Sequence, residues 1–225
     1  MISGETRLVG LLGDPVSQSL SPRIQNAAFA ARGLDWAYVP LHVTAEQLGD
    51  AIRGLVALGF AGANVTAPHK LAVAKLVETD APSVNTLVIR DGRIEGTSTD
   101  AAVLDGLEAE HPVVLGDGGA AQAFLQALPH ARSFARRGEW PPDVGEADLV
   151  VNATAARAEV LVRLGPGQVL VDLPYPGSAT AAAAREADAT VYDGLAVLVA
   201  QGAASFDLWT GLPAPVEVMR AAIRP

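Results

Sequence analysis

The sequence has 225 residues, with 16 lysines and arginines against 25 aspartates and glutamates, so its formal charge at pH 7 is −9. Half of the residues are hydrophobic, 18% are charged, and no apolar run approaches the roughly 18 residues that a membrane-spanning helix needs. We therefore expect a folded chain of one or two domains, neither disordered nor inserted in a membrane.

The chain has no cysteine and only four histidines. It cannot form a disulfide or a thiolate-bound metal centre, and we expect no metal site. The negative charge disfavours nucleic acid, whose binding depends on lysine and arginine side chains that neutralise phosphates. The N-terminus has no basic segment followed by a long apolar stretch, so we expect no secretory signal. These features are compatible with a cytoplasmic protein, and a small anion can still bind in a local basic pocket.

Strand-like apolar runs alternate with helical patterns along the whole chain, which predicts an α/β fold with parallel strands and crossover helices. The first strand is predicted over 8–12. Ser21, followed by a proline, is predicted to be the N-cap of a helix that ends at Gly33. The next strand, over 37–43, contains Pro40, which places it at a sheet edge.

A capping box of Thr44 and Gln47 predicts a second helix, which ends at Gly59. A strand over 63–65 then leads into the segment 66–70, at the start of another helix. The sequence LVIRDGRIEG predicts a hairpin with Asp-Gly in its turn, and the segment after it, GTSTD, is expected to begin a further helix.

The pattern restarts after Pro112 with a short strand over 113–115, the glycine-rich sequence GDGGAAQA and a helix to about Leu128. This is interpreted as the start of a second domain. The remaining predicted elements are strands over 150–152, 169–173 and 190–192, a weaker strand near Ser133, and final helices that begin near Leu195 and Pro215 and can pack back on the first domain.

The glycine-rich loop has the spacing of a dinucleotide-binding turn. Gly116, Gly118 and Ala121 match G-x-G-x-x-G/A between a strand and a helix, where backbone N–H groups can approach a pyrophosphate. Asp117 would repel that anion unless its side chain points away. The alternative is a tight connection that binds no ligand.

A pair of arginines follows the loop at the position that distinguishes two cofactors. About 20 residues beyond such a loop, an NAD site carries Asp or Glu for the ribose 2′-hydroxyl, whereas this chain has Arg136 and Arg137. Basic residues there favour a 2′-phosphate and therefore NADP. A solvated surface pair is the alternative.

Polar residues at strand ends suggest a second site. Asn64, Thr66 and Lys70 lie where the side chains of an α/β sheet face a ligand crevice. A lysine opposite a carboxylate can exchange a proton with a substrate hydroxyl, and Asp100 is the carboxylate that we pair with Lys70. The plainer interpretation is a solvated helix lysine and an acid stabilised by a helix dipole.

Ser19 and Ser21 are separated by one residue, so both hydroxyls of an extended loop can face one way and donate to a carboxylate. The alternative for Ser21 is the N-cap role alone.

Seven segments, in order along essentially the whole chain, resemble those of shikimate dehydrogenases. They are DPVSQSLSPRIQNAAF, NVTAPHK, SVNTL, GTSTD, VLGDGGAAQA, VVNAT and DGLAVLVAQGAASFDLWTG. The resemblance implies an N-terminal α/β substrate-binding domain over 1–100, completed by the C-terminal helices 194–225, and a Rossmann-like NADP-binding domain over 101–193. It also implies reversible, NADP-dependent reduction of 3-dehydroshikimate to shikimate, a step of chorismate and aromatic amino acid biosynthesis.

The resemblance further implies a role for each matching residue. Lys70 and Asp100 would be the catalytic pair. The substrate would be held by Ser19 and Ser21 at its carboxylate, by Asn64, Thr66, Asn85 and Gln201 at its ring hydroxyls, and by Tyr175 along the same cleft. The cofactor would be held by Gly116, Gly118, Gly119, Ala120, Arg136, Arg137, Thr154 and Gly194.

The chain departs from the family pattern mainly in the cofactor half. The family's Gly-Met after VNAT is absent in NATAARAE, and its Asn-Arg-Thr segment has only Arg136 in register. The chain is also short before Ser83 and between Arg137 and Asp148, where a crossover helix normally lies. Two alternatives stay open: a quinate/shikimate dehydrogenase with relaxed cofactor choice, and a non-catalytic shikimate-binding protein with impaired NADP binding. A homodimer is compatible with the sequence but not determined by it.

Overall fold

The computed structural model describes residues 2–224. The chain divides into two compact units: unit 1 runs to Thr99 and is completed by the segment from Val199 onward, and unit 2 is Asp100–Leu198. The alternation of strands and helices confirms the predicted α/β class. Within residues 2–224, every helix is too short or too polar to cross a membrane.

Unit 1 is built on a five-stranded sheet in the order β2-β1-β3-β4-β5. Strand β1 pairs in parallel with β2 and β3. Strand β4 pairs antiparallel with β3 on one side and with β5 on the other. The elements are β1 (Arg7–Gly13), α1 (Ser21–Ala31), β2 (Trp36–His42), α2 (Leu48–Ala57), β3 (Gly62–Val65), α3 (Lys70–Val73), β4 (Thr86–Arg90) and β5 (Arg93–Thr97). At the C-terminus follow α6 (Gly194–Thr210), which belongs to unit 1 from Val199 onward, and α7 (Val216–Ala221).

Turn and edge predictions in unit 1 are confirmed. Gly33 and Gly59 follow α1 and α2 with φ of +65° and +71°, the left-handed conformation that ends helices. Asp91 and Gly92 both have positive φ, 51° and 76°, in the hairpin turn between β4 and β5. Pro40 lies in β2, at the edge of the sheet.

Both helix caps predicted in unit 1 are wrong. Helix α1 begins at Ser21 itself, and the Ser21 N–H donates to the Ser19 hydroxyl at 3.2 Å. The capping box does not form because residues 44–47 make a backbone turn, in which the Gln47 N–H donates to the Thr44 carbonyl at 3.2 Å. Gln47 is then the N-cap of α2 and makes no side-chain cap hydrogen bond.

Helix α6 packs closely on α1 in unit 1. The Gln25 amide donates to the Gly202 carbonyl at 2.8 Å, and the rings of Phe29 and Phe206 stack with centroids 5.5 Å apart. A Cβ at Gly202 would lie 2.6 Å from the Ile24 side chain, so glycine permits this close approach. The sheet of unit 1 packs on α2 through a core that includes Leu12, Leu48, Ile52, Leu55, Phe60 and Leu87.

Unit 2 is a fully parallel sheet in the order β10-β9-β8-β6-β7. The helix expected from GTSTD onward is a five-residue 3-10 helix, Asp100–Leu104. The elements that follow are β6 (Pro112–Leu115), α4 (Gly119–Ala127), β7 (Arg132–Phe134), β8 (Leu149–Asn152), β9 (Val169–Asp172), α5 (Ala179–Glu186) and β10 (Thr190–Tyr192).

The order of the strands reverses at β6, which lies between β7 and β8. Ligands of open parallel sheets bind at the carboxyl ends of the strands beside such a reversal. Residues 135–148, which join β7 to β8, contain no helix, as the shortness of the sequence predicts. Val144 and Ala147 of this segment nevertheless pack in the core of unit 2.

Candidate functional site

A cluster of buried amides and hydroxyls lies at the end of β3 in unit 1. The Asn64 amide donates to the Asn85 carbonyl, the Thr86 hydroxyl and the Ser205 hydroxyl at 3.0–3.1 Å. Its side-chain oxygen accepts from the Tyr38 hydroxyl at 2.9 Å. Asn64 is 4% exposed, and its amide is hydrogen-bonded at both ends, so the neighbouring strand ends and α6 fix its orientation.

Asn85 extends this cluster toward the end of β5. Its side-chain oxygen accepts from the Thr99 N–H at 2.8 Å and from the Thr86 hydroxyl at 2.9 Å. Its amide nitrogen donates to the Thr99 hydroxyl at 3.0 Å and lies 3.4 Å from the Gln201 side-chain oxygen. Two of the residues assigned to ring hydroxyls, Asn85 and Gln201, are therefore adjacent.

The segment that carries Lys70 is held by its neighbours. His69 is buried, and its Nε2 donates to the Val43 carbonyl at 2.6 Å, because a carbonyl can only accept. The carbonyl of Lys70 accepts from the Val84 N–H at 3.1 Å, next to Asn85 in the chain. Half-buried Lys70 is the first residue of α3. Its backbone is thus fixed from two sides.

The loop after β1, which carries Ser19, and the segment 66–70, which carries Lys70, lie close together at Gly13. A Cβ at Gly13 would clash with the Thr66 methyl group and lie 3.3 Å from the Ala67 carbonyl oxygen. The Asp14 N–H donates to the same carbonyl at 3.2 Å. Ser19 is half-buried, Ser21 is buried and Thr66 is half-buried at this end of the sheet.

The remaining residues predicted around the substrate belong to unit 2. Asp100 is 6% exposed and begins the 3-10 helix. Tyr175 is half-buried and follows β9.

Unit 2 contains a pocket of about 500 Å³ at the carboxyl ends of its strands. Five residues predicted to bind the cofactor line it: Gly116, Gly118, Arg136, Arg137 and Thr154. Asp117, Trp140 and Glu159 line it as well. Gly119 and Ala120, also predicted, are the first two residues of α4 beside it. The predicted loop and the arginine pair are therefore brought together.

The loop fits the diphosphate of a dinucleotide. Gly116 has φ +119°, and a Cβ there would lie 3.2 Å from the Ala153 carbonyl oxygen, so only glycine is unstrained. Gly118, the N-cap of α4, has no other atoms within 4 Å of its Cβ position. The N–H groups and dipole at the N-terminus of α4 favour an anion there.

Gly194 does not line this pocket and has a packing role. A Cβ at Gly194 would lie 2.6 Å from the Leu173 carbonyl oxygen and 2.7 Å from that of Pro174. The side chain of Asp193 caps α6 by accepting from the N–H groups of Leu195 and Ala196. Close packing therefore accounts for the glycine at this helix start, and its contact with a cofactor stays a prediction.

A buried polar chain supports the pocket wall at Thr154. The Asn152 side-chain oxygen accepts from the Thr154 hydroxyl at 2.7 Å and its amide donates to Asp172 at 2.7 Å. Asp172 is fully buried, and its second carboxyl oxygen has no hydrogen-bond partner. Burial raises the pKa of Asp172, against the lowering effect of the Asn152 hydrogen bond.

Reasoning from the sequence missed five residues of the unit 1 site, Tyr38, His69, Thr86, Thr99 and Ser205, and four residues in or behind the unit 2 pocket, Trp140, Asn152, Glu159 and Asp172. A signal existed for Thr86 and Thr99, which lie within SVNTL and GTSTD, and for Ser205, which is four residues after Gln201 and hence on the same face of a helix. His69 lies within NVTAPHK and so had the same kind of signal, whereas Tyr38 had none, because its partner Asn64 comes from another strand.

The fold and the two sites define the class of protein. It has one α/β unit with a buried polar cluster and a second, fully parallel unit with a glycine loop at a strand-order reversal, which is the arrangement typical of dinucleotide-binding domains.

Comparison with known proteins identifies the family within that class. The family model of the shikimate dehydrogenase substrate binding domain matches residues 11–87, and that of the shikimate 5'-dehydrogenase C-terminal domain matches residues 194–224. The shikimate dehydrogenase (NADP(+)) of Anaeromyxobacter sp. strain Fw109-5 is 39% identical over 272 aligned positions, covering 99% of this chain and 98% of that protein. The chain therefore belongs to the shikimate dehydrogenase family, which confirms the resemblance seen in the sequence.

Solved structures agree. The shikimate dehydrogenase of Aquifex aeolicus has a TM-score of 0.90 at 28% identity, covering 100% of both chains. That of Thermus thermophilus, in complex with NADP(H) and shikimate, has a TM-score of 0.85 at 27% identity, covering 96% of this chain and 98% of the other. The Anaeromyxobacter alignment spans 272 positions against 225 residues here, so that relative contains segments that this chain lacks.

Proposed function

We propose that this protein is a shikimate dehydrogenase, which reduces 3-dehydroshikimate to shikimate reversibly with NADP as the cofactor. The observation that carries the proposal is the backbone hydrogen bond from the Val84 N–H to the Lys70 carbonyl. In a member of this family, it holds the segment that carries Lys70 next to Asn85. That arrangement supplies a proton carrier and hydroxyl-binding groups at one end of the unit 1 sheet.

The substrate is a polyhydroxylated carboxylate, and unit 1 offers complementary groups. We assign the hydroxyls of Ser19 and Ser21 to its carboxylate. The amides of Asn64, Asn85 and Gln201 and the hydroxyl of Thr66 are assigned to its ring hydroxyls, and Tyr175 to the same cleft. Since hydrogen bonds to neighbouring groups already orient the amides of Asn64 and Asn85, little ordering is needed when substrate binds.

Lys70 and Asp100 are assigned as the catalytic pair. The Lys70 ammonium donates a proton to the carbonyl oxygen as negative charge develops there, and takes a proton from the hydroxyl in the reverse direction. The Asp100 carboxyl accepts a hydrogen bond from a substrate hydroxyl and keeps it oriented. Groups held in place before the reaction reorganise little during it.

Unit 2 is assigned to the cofactor, which supplies or takes the hydride when bound. Gly116, Gly118, Gly119 and Ala120 present backbone N–H groups to the pyrophosphate. Arg136 and Arg137 are assigned to the 2′-phosphate, and Thr154 and Gly194 to the nicotinamide end.

The first experiment measures absorbance of reduced nicotinamide when purified protein is given shikimate with NADP and, separately, with NAD. Reduction of NADP that is lost in Lys70→Ala supports the proposal. The values of kcat/KM for shikimate and quinate then decide the substrate. Absence of reduction with either cofactor, together with shikimate binding in a calorimetric titration, would instead identify a non-catalytic binding protein.

We further propose a cytoplasmic protein, which the absence of cysteine supports without requiring it. A homodimer is compatible with the sequence, and gel filtration with light scattering measures the assembly.

A further inference from the structure

The cofactor pocket of unit 2 contains both kinds of residue that select between dinucleotides. Arg136 lines it and forms an ion pair with Glu159, which lines the same pocket. In dinucleotide sites an acidic residue hydrogen-bonds a free ribose 2′-hydroxyl, whereas an arginine accommodates a 2′-phosphate. Here an acid and an arginine are present together and already bound to each other.

The chain segment around Glu159 is hydrogen-bonded to the start of α5. The carbonyl of Glu159 accepts from the Thr180 hydroxyl at 3.3 Å, and the Leu161 N–H donates to the same hydroxyl at 3.0 Å. The Arg157 carbonyl accepts from the Ala179 N–H at 2.8 Å. Three hydrogen bonds therefore fix the backbone of the segment 157–161 against the start of α5, so the backbone of Glu159 has a defined position beside the pocket.

Arg136 is held from a second side. Its guanidinium lies 5.4 Å from the centre of the Trp140 ring, and Trp140 packs against the core of unit 2. The segment that carries Trp140 takes the place of the crossover helix. A guanidinium held against an aromatic face keeps its plane and its donors in a defined direction.

The charges of the pocket then decide between the cofactors. A 2′-phosphate adds about two negative charges and must share Arg136 with the Glu159 carboxylate or displace it. A free 2′-hydroxyl adds no charge and can donate to that carboxylate. Because the side chains of Arg136 and Glu159 are 59% and 53% exposed, the pair opposes the phosphate only modestly.

We propose that Glu159 determines the cofactor specificity of this protein: it competes with a 2′-phosphate for Arg136 and accepts a hydrogen bond from a free 2′-hydroxyl, so that the protein binds NAD as well as NADP. This inference rests on the proposed function. It makes Glu159 a specificity-determining residue that acts in part through Arg136.

The test is calorimetric titration of the full chain with NADP+ and with NAD+, separately from turnover. In Glu159→Gln we expect the Kd of NADP+ to fall roughly fivefold at low salt and the Kd of NAD+ to rise. In an Arg136→Ala background the same substitution should have a smaller effect on NADP+. Glu186→Gln, which removes an exposed acid of the same unit outside the pocket, should change neither Kd.

Two results would overturn the inference and leave the proposed function standing. One is that wild-type protein oxidises shikimate with NADP but Glu159→Gln keeps the same ratio of Kd values. The other is that Glu159→Gln and Glu186→Gln shift that ratio equally. Wild-type protein that binds neither dinucleotide would overturn both the inference and the proposed function.

Discussion

The two sites of this chain are built in opposite ways. In unit 1 the functional groups are buried side chains from several strands and α6, and they hydrogen-bond one another around Asn64 and Asn85. In unit 2 the pocket is lined by the backbone of a glycine loop and by exposed charges such as Arg136 and Glu159.

This difference separates stability from binding. When a buried amide loses its hydrogen-bond partner, the free energy of unfolding falls, whether or not a ligand is bound. An exposed ion pair contributes little to folding and is easily rearranged by an anion. Substitutions in the unit 1 cluster should therefore change stability and activity together, whereas those in the unit 2 pocket should change mainly affinity.

The largest expected effect is on activity, and it is an exception to the rule that substitutions in unit 1 change stability and activity together. Lys70→Ala should lower kcat by about a thousandfold, because it removes the proton donor, and should leave the free energy of unfolding nearly unchanged. Steady-state kinetics and urea unfolding measure the two quantities. Lys75→Ala is the matched control, since Lys75 is the only other lysine and is exposed. A kcat within tenfold of wild type in Lys70→Ala would remove Lys70 from the mechanism.

Asn64→Ala tests the buried cluster directly. It removes the buried hydrogen bonds of the Asn64 side chain with the Tyr38 hydroxyl, the Asn85 carbonyl and the hydroxyls of Thr86 and Ser205, so we expect a loss of about 3 kcal/mol in the free energy of unfolding. Asn26→Ala removes two hydrogen bonds to the Tyr38 backbone from an exposed residue and should cost about 1 kcal/mol. Equal losses would contradict the contrast between buried and exposed amides.

Gly116→Ala tests whether the shape of the glycine loop in unit 2 depends on the backbone conformation of Gly116. The positive φ and the close Ala153 carbonyl predict a loss of about 1–3 kcal/mol, measured by chemical unfolding, and weaker NADP+ binding. Gly165→Ala, at a glycine of the same unit with open space around its Cβ position, should have little effect. If both variants behave alike, the conformation of Gly116 is not what shapes the loop.

The smallest effect is a pH dependence in unit 2. Because burial raises the pKa of Asp172, the folded chain holds this proton at pH values where the unfolded chain, with the ordinary value of 3.8, has released it. The stabilising contribution is complete below 3.8 and is lost as pH rises through the pKa of the folded chain. Asp172→Asn should therefore gain stability relative to wild type as pH rises.

Asp148 supplies a control of opposite sign. Burial raises its pKa, but backbone hydrogen bonds, among them those from the N–H groups of Glu110 and His111, outweigh burial and lower it. Its contribution is present above the ordinary value of 3.8 and is lost as pH falls. Asp148→Asn should therefore lose stability relative to wild type as pH rises. Parallel slopes for the two variants in urea unfolding at several pH values would contradict the opposite signs assigned to the two carboxyls.

Much of the fold could be predicted from the sequence by itself. Alternating apolar runs located the strands, and Gly33, Gly59 and the Asp-Gly pair located turns, because these signals depend on the residue itself and its near neighbours. Glycine spacing located the loop at Gly116, and the ordered motifs identified the family. The helix starts near Ser21 and Thr44 were predicted less well, because a serine or threonine can satisfy a neighbouring turn instead of a helix.

Tertiary structure alone decided which side chains contact one another within a site. Ser205 is 141 residues from Asn64 and yet hydrogen-bonds it, and Glu159 is 23 residues from Arg136. Such pairs depend on strand order and on the path of the connections, which place distant residues side by side. Local sequence patterns determine the elements, and the packing of those elements determines whether an arginine faces solvent or a carboxylate in a pocket.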